Sequence, residues 1–252
     1  MPQAYISHLT PTIAKDKLIV ALDVDAEDEA RSIISELQGE VGAFKIGLQL
    51  FTAAGSKFVR EIAESGTKVF LDLKFHDIPN TVAKASVEAA RLGVWMFNVH
   101  AAGGSEMMRR TVLEVAEICD RERLTKPKII AVTVLTSSSS GTLKEIGIER
   151  EVEAHVLNLA QLVFDSGLDG VVASGNEAAA IRTRIADREF TIVTPGIRPD
   201  FATNDDQQRV MTPEGSLRAG SDYLVIGRPI TQSADKASTV KRILREMEAA
   251  SK

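Results

Sequence analysis

Four ionisable residues stand close together in the segment FLDLKFHDIPNT, residues 70–81. They are Asp72, Lys74, His76 and Asp77, and they interrupt a run that otherwise has the apolar character of a buried strand. Charged groups are costly inside a core unless they pair with each other. Neighbouring carboxylates favour the charged form of an ammonium group, so this pattern predicts a protonated lysine that acts as a proton donor.

Strand side chains alternate between two faces, which separates this segment into an apolar face and a charged face. The apolar face is suited to packing under helices and carries Val69, Leu71 and Leu73. The other face carries Phe70, Asp72 and Lys74. With Lys45 and Asp77 in reach, the charged face predicts an alternating network of charges inside a barrel. A purely structural ion-pair network is the alternative.

Eight strand-like runs alternate with amphipathic stretches along the whole chain. The predicted strands are 18–24, 43–48, 68–75, 96–101, 128–136, 170–174, 190–196 and 223–230. Residues 105–124 and 234–250 are examples of predicted helices, and Ser105, Asn176 and Ser233 are the expected N-caps. The alternation predicts an α/β fold, a single (β/α)8 barrel over 1–252 with a short polar tail at about 1–16. An open doubly wound sheet is the alternative.

Polar residues or glycines follow nearly every predicted strand. In a barrel the carboxyl ends of the strands carry the functional site. The residues at or near these ends are Asp23, Lys45, Asp72, Lys74, His100, Thr136, Gly196, Gly227 and Arg228. The serine-rich patch 137–142 after the fifth strand fits a flexible surface loop or an active-site lid, and the long loop 198–209 is also expected to be functional.

Two late segments, TPGIRP and VIGRPI, each pair a glycine with an arginine just past a strand. Glycine lets backbone N–H groups approach an anion, and arginine offers a two-pronged contact to phosphate oxygens. Barrels commonly bind phosphate with the loops after strands seven and eight. The two segments therefore predict a phosphate site, with turn glycines and solvated arginines as the alternative.

Composition narrows the function classes. The 252 residues include 35 acidic and 30 basic side chains, a net charge of −5, which argues against nucleic-acid or anionic-membrane partners. The single cysteine, Cys119, cannot form an intramolecular disulfide, and we expect a cytoplasmic location. The first sixteen residues lack a signal-peptide layout, and no apolar run reaches the roughly 18–20 residues that span a bilayer.

Motifs for bound groups are missing from the sequence. It contains no Gly-x-Gly-x-x-Gly, Walker loop or nucleophile elbow, and its histidines, His8, His76, His100 and His155, lack metal-ligand spacing. We therefore expect neither a metal nor an organic cofactor.

A set of motifs resembles the orotidine 5′-monophosphate decarboxylases of the bacterial type, in the family order and over about residues 18–240. The motifs are ALDV, FKIGL, DLKFHDIPNT, VHAAGG, VTVLTS, TPGIRP, DQQRVMTP and DYLVIGRPITQS. The resemblance implies cofactor-independent conversion of orotidine 5′-monophosphate to uridine 5′-monophosphate, the last step of de novo pyrimidine biosynthesis. The serine run at 138–140 departs from relatives that carry a bulkier residue there.

The resemblance also implies catalytic roles. Lys74 corresponds to the lysine that protonates ring carbon six, and Asp72 to the carboxylate beside the substrate carboxylate. Lys45 and Asp23 correspond to residues that hold the network and the ribose hydroxyls. Loss of carbon dioxide leaves a carbanion with no adjacent carbonyl, so a preorganised ammonium group must stabilise it.

Further roles implied by the resemblance concern the partner subunit and the rest of the substrate. Asp77, with Ile78 and Thr81, corresponds to residues that reach into the partner's site in a homodimer. The remaining substrate-binding positions are Thr136, Pro195, Arg198, Gln207, Gly227 and Arg228.

Two other readings stay open. A magnesium-dependent sugar-phosphate decarboxylase or synthase on the same barrel has a similar Asp-x-Lys-x-x-Asp core. A non-catalytic nucleotide-binding or scaffold protein on a decayed barrel is the second alternative, although the charged residues Lys45, Asp72, Lys74 and Asp77 are all present.

Overall fold

The computed structural model describes residues 13–202 and 210–250. Within them, eight parallel strands pair in chain order and β1 pairs with β8, which closes the barrel. The strands are β1 Leu18–Ala21, β2 Ala43–Gly47, β3 Val69–Phe75, β4 Met96–His100, β5 Lys128–Val132, β6 Gly170–Val172, β7 Thr191–Thr194 and β8 Tyr223–Ile226. The prediction of a (β/α)8 barrel is confirmed, and closure rules out the open sheet.

Helices follow each strand on the outside of the barrel. They are α1 Glu27–Leu37, α2 Leu48–Glu64, α3 Pro79–Arg91, α4 Gly104–Glu122, α5 Ser140–Glu145, α6 Val152–Asp165, α7 Gly175–Arg184, α8 Pro213–Arg218, α9 Arg228–Thr231 and α10 Lys236–Ala249. Short 3-10 helices occupy Ala14–Lys17 and Ala101–Gly103. None of the helices in the described part of the chain is long and apolar enough to cross a membrane.

Two apolar layers hold the barrel together. Outward-facing strand residues such as Val69, Leu71 and Phe97 pack against the helices in one continuous core. A smaller cluster fills the barrel interior: Ile19, Ala21, Ala43, Phe70, Met96, Ile130, Val193 and Val225. The predicted division of β3 into an outward apolar face and an inward charged face is therefore confirmed.

The predicted helix N-caps are wrong in all three cases: Ser105, Asn176 and Ser233. In α7 the N-cap is Ser174, whose hydroxyl accepts a hydrogen bond from the backbone N–H of Asn176 at 3.3 Å. In α10 Asp235 caps the backbone N–H of Ser238 at 2.8 Å, and α4 has no side-chain cap. The N-caps of α7 and α10, Ser174 and Asp235, have extended backbone and immediately precede the first helical residue. Hydrophobic periodicity locates the start of a helix only to within about two residues, so it did not identify them.

The prediction that the whole chain forms a single domain stays a prediction. A single domain over 1–252 includes the expected tail at 1–16, and residues 1–12, 203–209 and 251–252 lie outside the described residues. The described part forms one barrel.

Candidate active site

A cavity opens at the carboxyl end of the barrel and gathers most of the residues that the sequence singled out. Its lining includes Asp23, Lys45, Asp72, Lys74, Thr136, Pro195, Arg198, Gly227 and Arg228. Apolar side chains from the barrel interior, Phe70 and Val225 among them, also line it. The cavity thus combines an apolar wall with charges from several strands.

The charged residues form a continuous chain across β1, β2 and β3. Nζ of Lys45 lies 2.9 Å from Oδ1 of Asp23 and 3.4 Å from Oδ2 of Asp72. Nζ of Lys74 lies 2.7 Å from Oδ1 of Asp72. The order Asp23, Lys45, Asp72, Lys74 alternates in sign, as expected for Lys45, Asp72 and Lys74, but Asp23 stands at the end of the network where the charge pattern had suggested Asp77.

The environment of Asp72 favours its ionised form. Burial alone would raise the pKa of Asp72, but the charges of Lys45 and Lys74 and the hydrogen bonds from Lys74 and Asn98 outweigh it. The pKa of Asp72 therefore lies below its ordinary value. In the same way, burial would lower the pKa of Lys45, but Asp72 and Asp23 raise it above its ordinary value. Both groups carry their charge at neutral pH.

Gly47 makes room for the ammonium group of Lys45. A Cβ at this position, the last residue of β2, would lie 3.0 Å from Nζ of Lys45 and 3.5 Å from Oδ1 of Asp23. Such a contact is tighter than ordinary packing, so a larger residue would displace the lysine. The glycine therefore lets Lys45 sit between its two carboxylates.

Asn98, which the sequence reasoning missed, contacts both members of the Asp72–Lys74 pair. It is fully buried on β4, and its Nδ2 donates to Oδ1 of Asp72 at 2.7 Å. Its Oδ1 accepts the backbone N–H of Lys74 at 2.8 Å. The alternation of strand side chains could have identified it, because residues 96, 98 and 100 share one face of β4 and Asn98 is therefore on the same face as His100.

The loops after β7 and β8 bring two arginines to the cavity. Gly196 has a φ of 77°, a left-handed conformation that favours glycine, and it turns the chain into the loop. Backbone hydrogen bonds between Arg198 and Met211 (2.9 Å) and between Met211 and Gly196 (3.4 Å) hold the two ends of this loop together. The predicted ligand Gln207 lies outside the described residues.

Asp77, Ile78 and Thr81 are not among the described residues that line the cavity of this chain. Oδ1 of Asp77 accepts the backbone N–H of Ile78 at 2.6 Å, and Asp77 is exposed. Ile78 exposes 67% of its surface, and Thr81 is exposed in the first turn of α3. Within one chain, Asp77 therefore stands apart from the charged network that includes Lys74.

Half of the serine-rich segment after β5 is helical. Ser139 caps α5: its hydroxyl accepts the backbone N–H of Thr142 at 3.2 Å, and the hydroxyl of Thr142 accepts the N–H of Ser139 at 3.4 Å. This reciprocal capping box converts half of the patch into the first turn of a helix. Thr136, which precedes it, lines the cavity.

His100 and His76 stack beside the site, with ring centroids 5.2 Å apart. Burial, followed by the charges of His76 and Lys74, lowers the pKa of His100 below its ordinary value. A neutral imidazole is therefore expected at this position. Within the described residues, no group of three or more His, Cys, Asp or Glu side chains is arranged to hold a metal ion.

Comparisons with known proteins agree with the geometry. A sequence model of the Orotidine 5′-phosphate decarboxylase / HUMPS family matches residues 16–243. Orotidine 5′-phosphate decarboxylase of Syntrophotalea carbinolica is 54% identical over 237 residues, 94% of this chain and 97% of the relative. That of Geobacter sulfurreducens is 52% identical over 241 residues, 95% of this chain and 99% of the relative. The crystal structure of orotidine 5′-phosphate decarboxylase from Lactobacillus acidophilus has a TM-score of 0.80 at 36% identity, covering 91% of this chain and 98% of that one.

Proposed function

The chain belongs to the Orotidine 5′-phosphate decarboxylase / HUMPS family, and we propose that it converts orotidine 5′-monophosphate to uridine 5′-monophosphate and carbon dioxide, the last step of de novo pyrimidine biosynthesis. It is thus an enzyme of the carboxy-lyase class. The observation that carries the substrate and the chemistry is the Asp23–Lys45–Asp72–Lys74 chain of alternating charges, which lines the same cavity as two arginines.

Lys74 is the proton donor in this proposal. The bond between ring carbon six and the carboxyl group breaks, carbon dioxide leaves, and the electron pair stays on carbon six. The ammonium group of Lys74 stabilises that charge and then transfers one proton to carbon six, after which the amine regains a proton from solvent. Support comes from its position: Nζ is 2.7 Å from Oδ1 of Asp72, and the side chain is 31% exposed toward the cavity.

Asp72 and Lys45 prepare the site for this step. The carboxylate of Asp72 is held between two ammonium groups and lies where the substrate carboxylate would approach Lys74. Lys45 fixes Asp72 from the other side and also pairs with Asp23, whose half-exposed carboxylate is available to ribose hydroxyls. A preorganised arrangement of charges needs little reorganisation during the reaction.

The far side of the cavity binds the phosphate. β7, which precedes Arg198, lies opposite β3 in the eight-stranded ring, and β8, which precedes Arg228, is the neighbour of β7, so both arginines follow strands distant from that of Lys74. Gly227 and Pro195 shape this end, Thr136 contacts the pyrimidine, and Gln207 bridges phosphate and base. Phosphate binding at a distance supplies energy that orients the reacting end.

The active unit is a homodimer in which Asp77, Ile78 and Thr81 complete the partner's site. An exposed isoleucine beside an exposed aspartate, just past the carboxyl end of β3, is consistent with a surface that a second chain covers. The free, buried Cys119 is consistent with a reducing, cytoplasmic compartment.

The alternative of a magnesium-dependent sugar-phosphate enzyme is less well supported. The two curated relatives described above carry the decarboxylase name at 54% and 52% identity. Asp72 is engaged by two lysines and an asparagine, which leaves it poorly placed as a metal ligand.

This proposal can be tested by measuring the ultraviolet absorbance of orotidine 5′-monophosphate during incubation with wild-type protein in EDTA. The variants Lys74→Ala and Lys57→Ala, the latter a surface control, are assayed in parallel. We expect conversion by wild type and Lys57→Ala, and loss of turnover in folded Lys74→Ala. Inactive wild type that gains activity toward a sugar phosphate on addition of magnesium would replace the proposal with the alternative.

A further inference from the structure

Asn98 is a polar side chain inside the barrel, on the strand beside the Asp72–Lys74 pair. It has no exposed surface, and it lies between Met96 and His100 on the inward face of β4. Burial of a polar amide is unfavourable unless its hydrogen bonds are made. Both ends of this amide are satisfied by residues of β3.

Only one orientation of the amide satisfies both contacts. The carboxylate of Asp72 can only accept a hydrogen bond, and the backbone N–H of Lys74 can only donate one. Nδ2 of Asn98 must therefore face Asp72, at 2.7 Å, and Oδ1 must face Lys74, at 2.8 Å. The chemistry of the two partners fixes the direction of the side chain.

The contact to Lys74 coincides with an irregularity of β3. Lys74 has a φ of 52°, a left-handed conformation that is uncommon for a residue with a side chain. The pairing of β3 with β4 shifts register between Leu71 and Phe75, so the Lys74 N–H is turned toward a side chain rather than a strand. Asn98 thus supports the backbone conformation from which the lysine side chain projects.

The contact to Asp72 completes the set of donors around its carboxylate. Oδ1 accepts from Nζ of Lys74 and Nδ2 of Asn98, and Oδ2 faces Nζ of Lys45. With donors on both oxygens, the carboxylate cannot rotate without losing a contact. The charged groups that face Asp72 are Lys45 on β2 and Lys74 on β3, and His100 is the next inward residue of β4.

We propose that Asn98 is a positioning residue of the decarboxylation: it holds the Asp72 carboxylate and the Lys74 backbone in the relative geometry that proton transfer requires. The inference rests on the proposed function and adds a residue to it. Asn98 does not line the cavity, so it acts through the other two residues. A small misplacement of a reacting group is enough to lower the rate about 100-fold.

Two substitutions separate the roles of the amide. Asn98→Leu is similar in size and removes both hydrogen bonds. Asn98→Asp is nearly identical in shape, keeps an acceptor for the Lys74 N–H, loses the donor and adds a negative charge beside Asp72. Thr194→Ala is the matched control: Thr194 is fully buried on β7, and its hydroxyl is bonded to that of Ser221 at 2.7 Å, away from the cavity.

The measurement is kcat and KM for orotidine 5′-monophosphate across pH, with thermal unfolding of each variant. We expect Asn98→Leu to lower kcat about 100-fold with KM changed less than about threefold, because the phosphate end is untouched. In Asn98→Asp, like-charge repulsion raises the pKa of Asp72, so the acidic limb of the kcat/KM profile moves to higher pH. Thr194→Ala should lose thermal stability and keep its kcat.

The inference is overturned if folded Asn98→Leu keeps wild-type kcat or loses no more than Thr194→Ala. If Asn98→Leu does not fold, Asn98→Asp decides, and a wild-type pH profile in that variant also overturns the inference. Wild-type protein without turnover would overturn the proposed function itself, so the two failures are distinguishable.

Discussion

Nζ of Lys45 lies 3.4 Å from Oδ2 of Asp72, and neither side chain exposes more than 12% of its surface. The two residues stand on neighbouring strands, β2 and β3, and the parallel pairing of these strands brings them together. Because each is buried, removal of either leaves a charge with fewer partners in a poorly solvated place. This ion pair therefore contributes to the stability of the barrel as well as to the proposed chemistry.

Substitution of Lys45 by methionine should destabilise the protein. Asp72 would keep Lys74 and Asn98 but lose one of its two cations, and Asp23 would lose its partner; a loss of about 3 kcal/mol in the free energy of unfolding is expected. Urea unfolding measures it. The control is Lys57→Met, because that side chain is 89% exposed and pairs with Glu61 at 3.6 Å. Equal stability of the two variants would contradict the structural role of Lys45.

The stability that Asp72 provides should depend on pH. Its pKa is lower in the folded protein than its ordinary value of 3.8, so the unfolded chain binds the proton first as the pH falls. Its contribution is complete well above that value and is lost as the pH falls through the folded pKa. The difference in unfolding free energy between wild type and Asp72→Asn should be constant from about pH 5 to 8 and shrink below about pH 4. A difference that grows on acidification would contradict the pairing.

Mixed dimers test the proposed role of Asp77. Lys74→Ala and Asp77→Ala should each abolish turnover as homodimers. In a heterodimer of the two, purified with different tags, one site carries both defects and the other carries none, so about half of the wild-type sites are active. A heterodimer as inactive as its parents would show that Asp77 does not act across an interface.

Arg228 should matter only for a substrate that carries the phosphate. Arg228→Ala is expected to lower kcat/KM for orotidine 5′-monophosphate by about 100-fold, the loss of a charge-assisted contact. Turnover of orotidine, which lacks the phosphate, should be unchanged. The matched control is Arg218→Ala, whose side chain is 58% exposed and pairs with Glu214 at 2.7 Å. Equal losses on both substrates would place Arg228 outside the phosphate site.

The sequence by itself determined the barrel and the face on which its polar residues stand. The eight apolar runs and the alternation along β3 are local patterns. They predict that Asp72 and Lys74 face the barrel interior without any knowledge of long-range contacts. Seven of the eight predicted strands are too long at their carboxyl ends, as in 128–136 against β5 Lys128–Val132. β5 ends there because its pairing with β6 ends at Val132, which is opposite Val172. The length of the neighbouring strand cannot be predicted from the sequence of β5 alone.

Only the tertiary structure decided which polar groups meet. Asn98 contacts residues 24 and 26 positions away, and the contact requires both the parallel pairing of β3 with β4 and a register shift between them. Within a single chain, Asp77 does not join the network that its spacing suggested: its carboxylate accepts the neighbouring backbone N–H, and it does not line the cavity. Side-chain periodicity assigns a residue to a face of a strand. Distance and direction within that face depend on strand register and backbone conformation, which arise only when the strands pair.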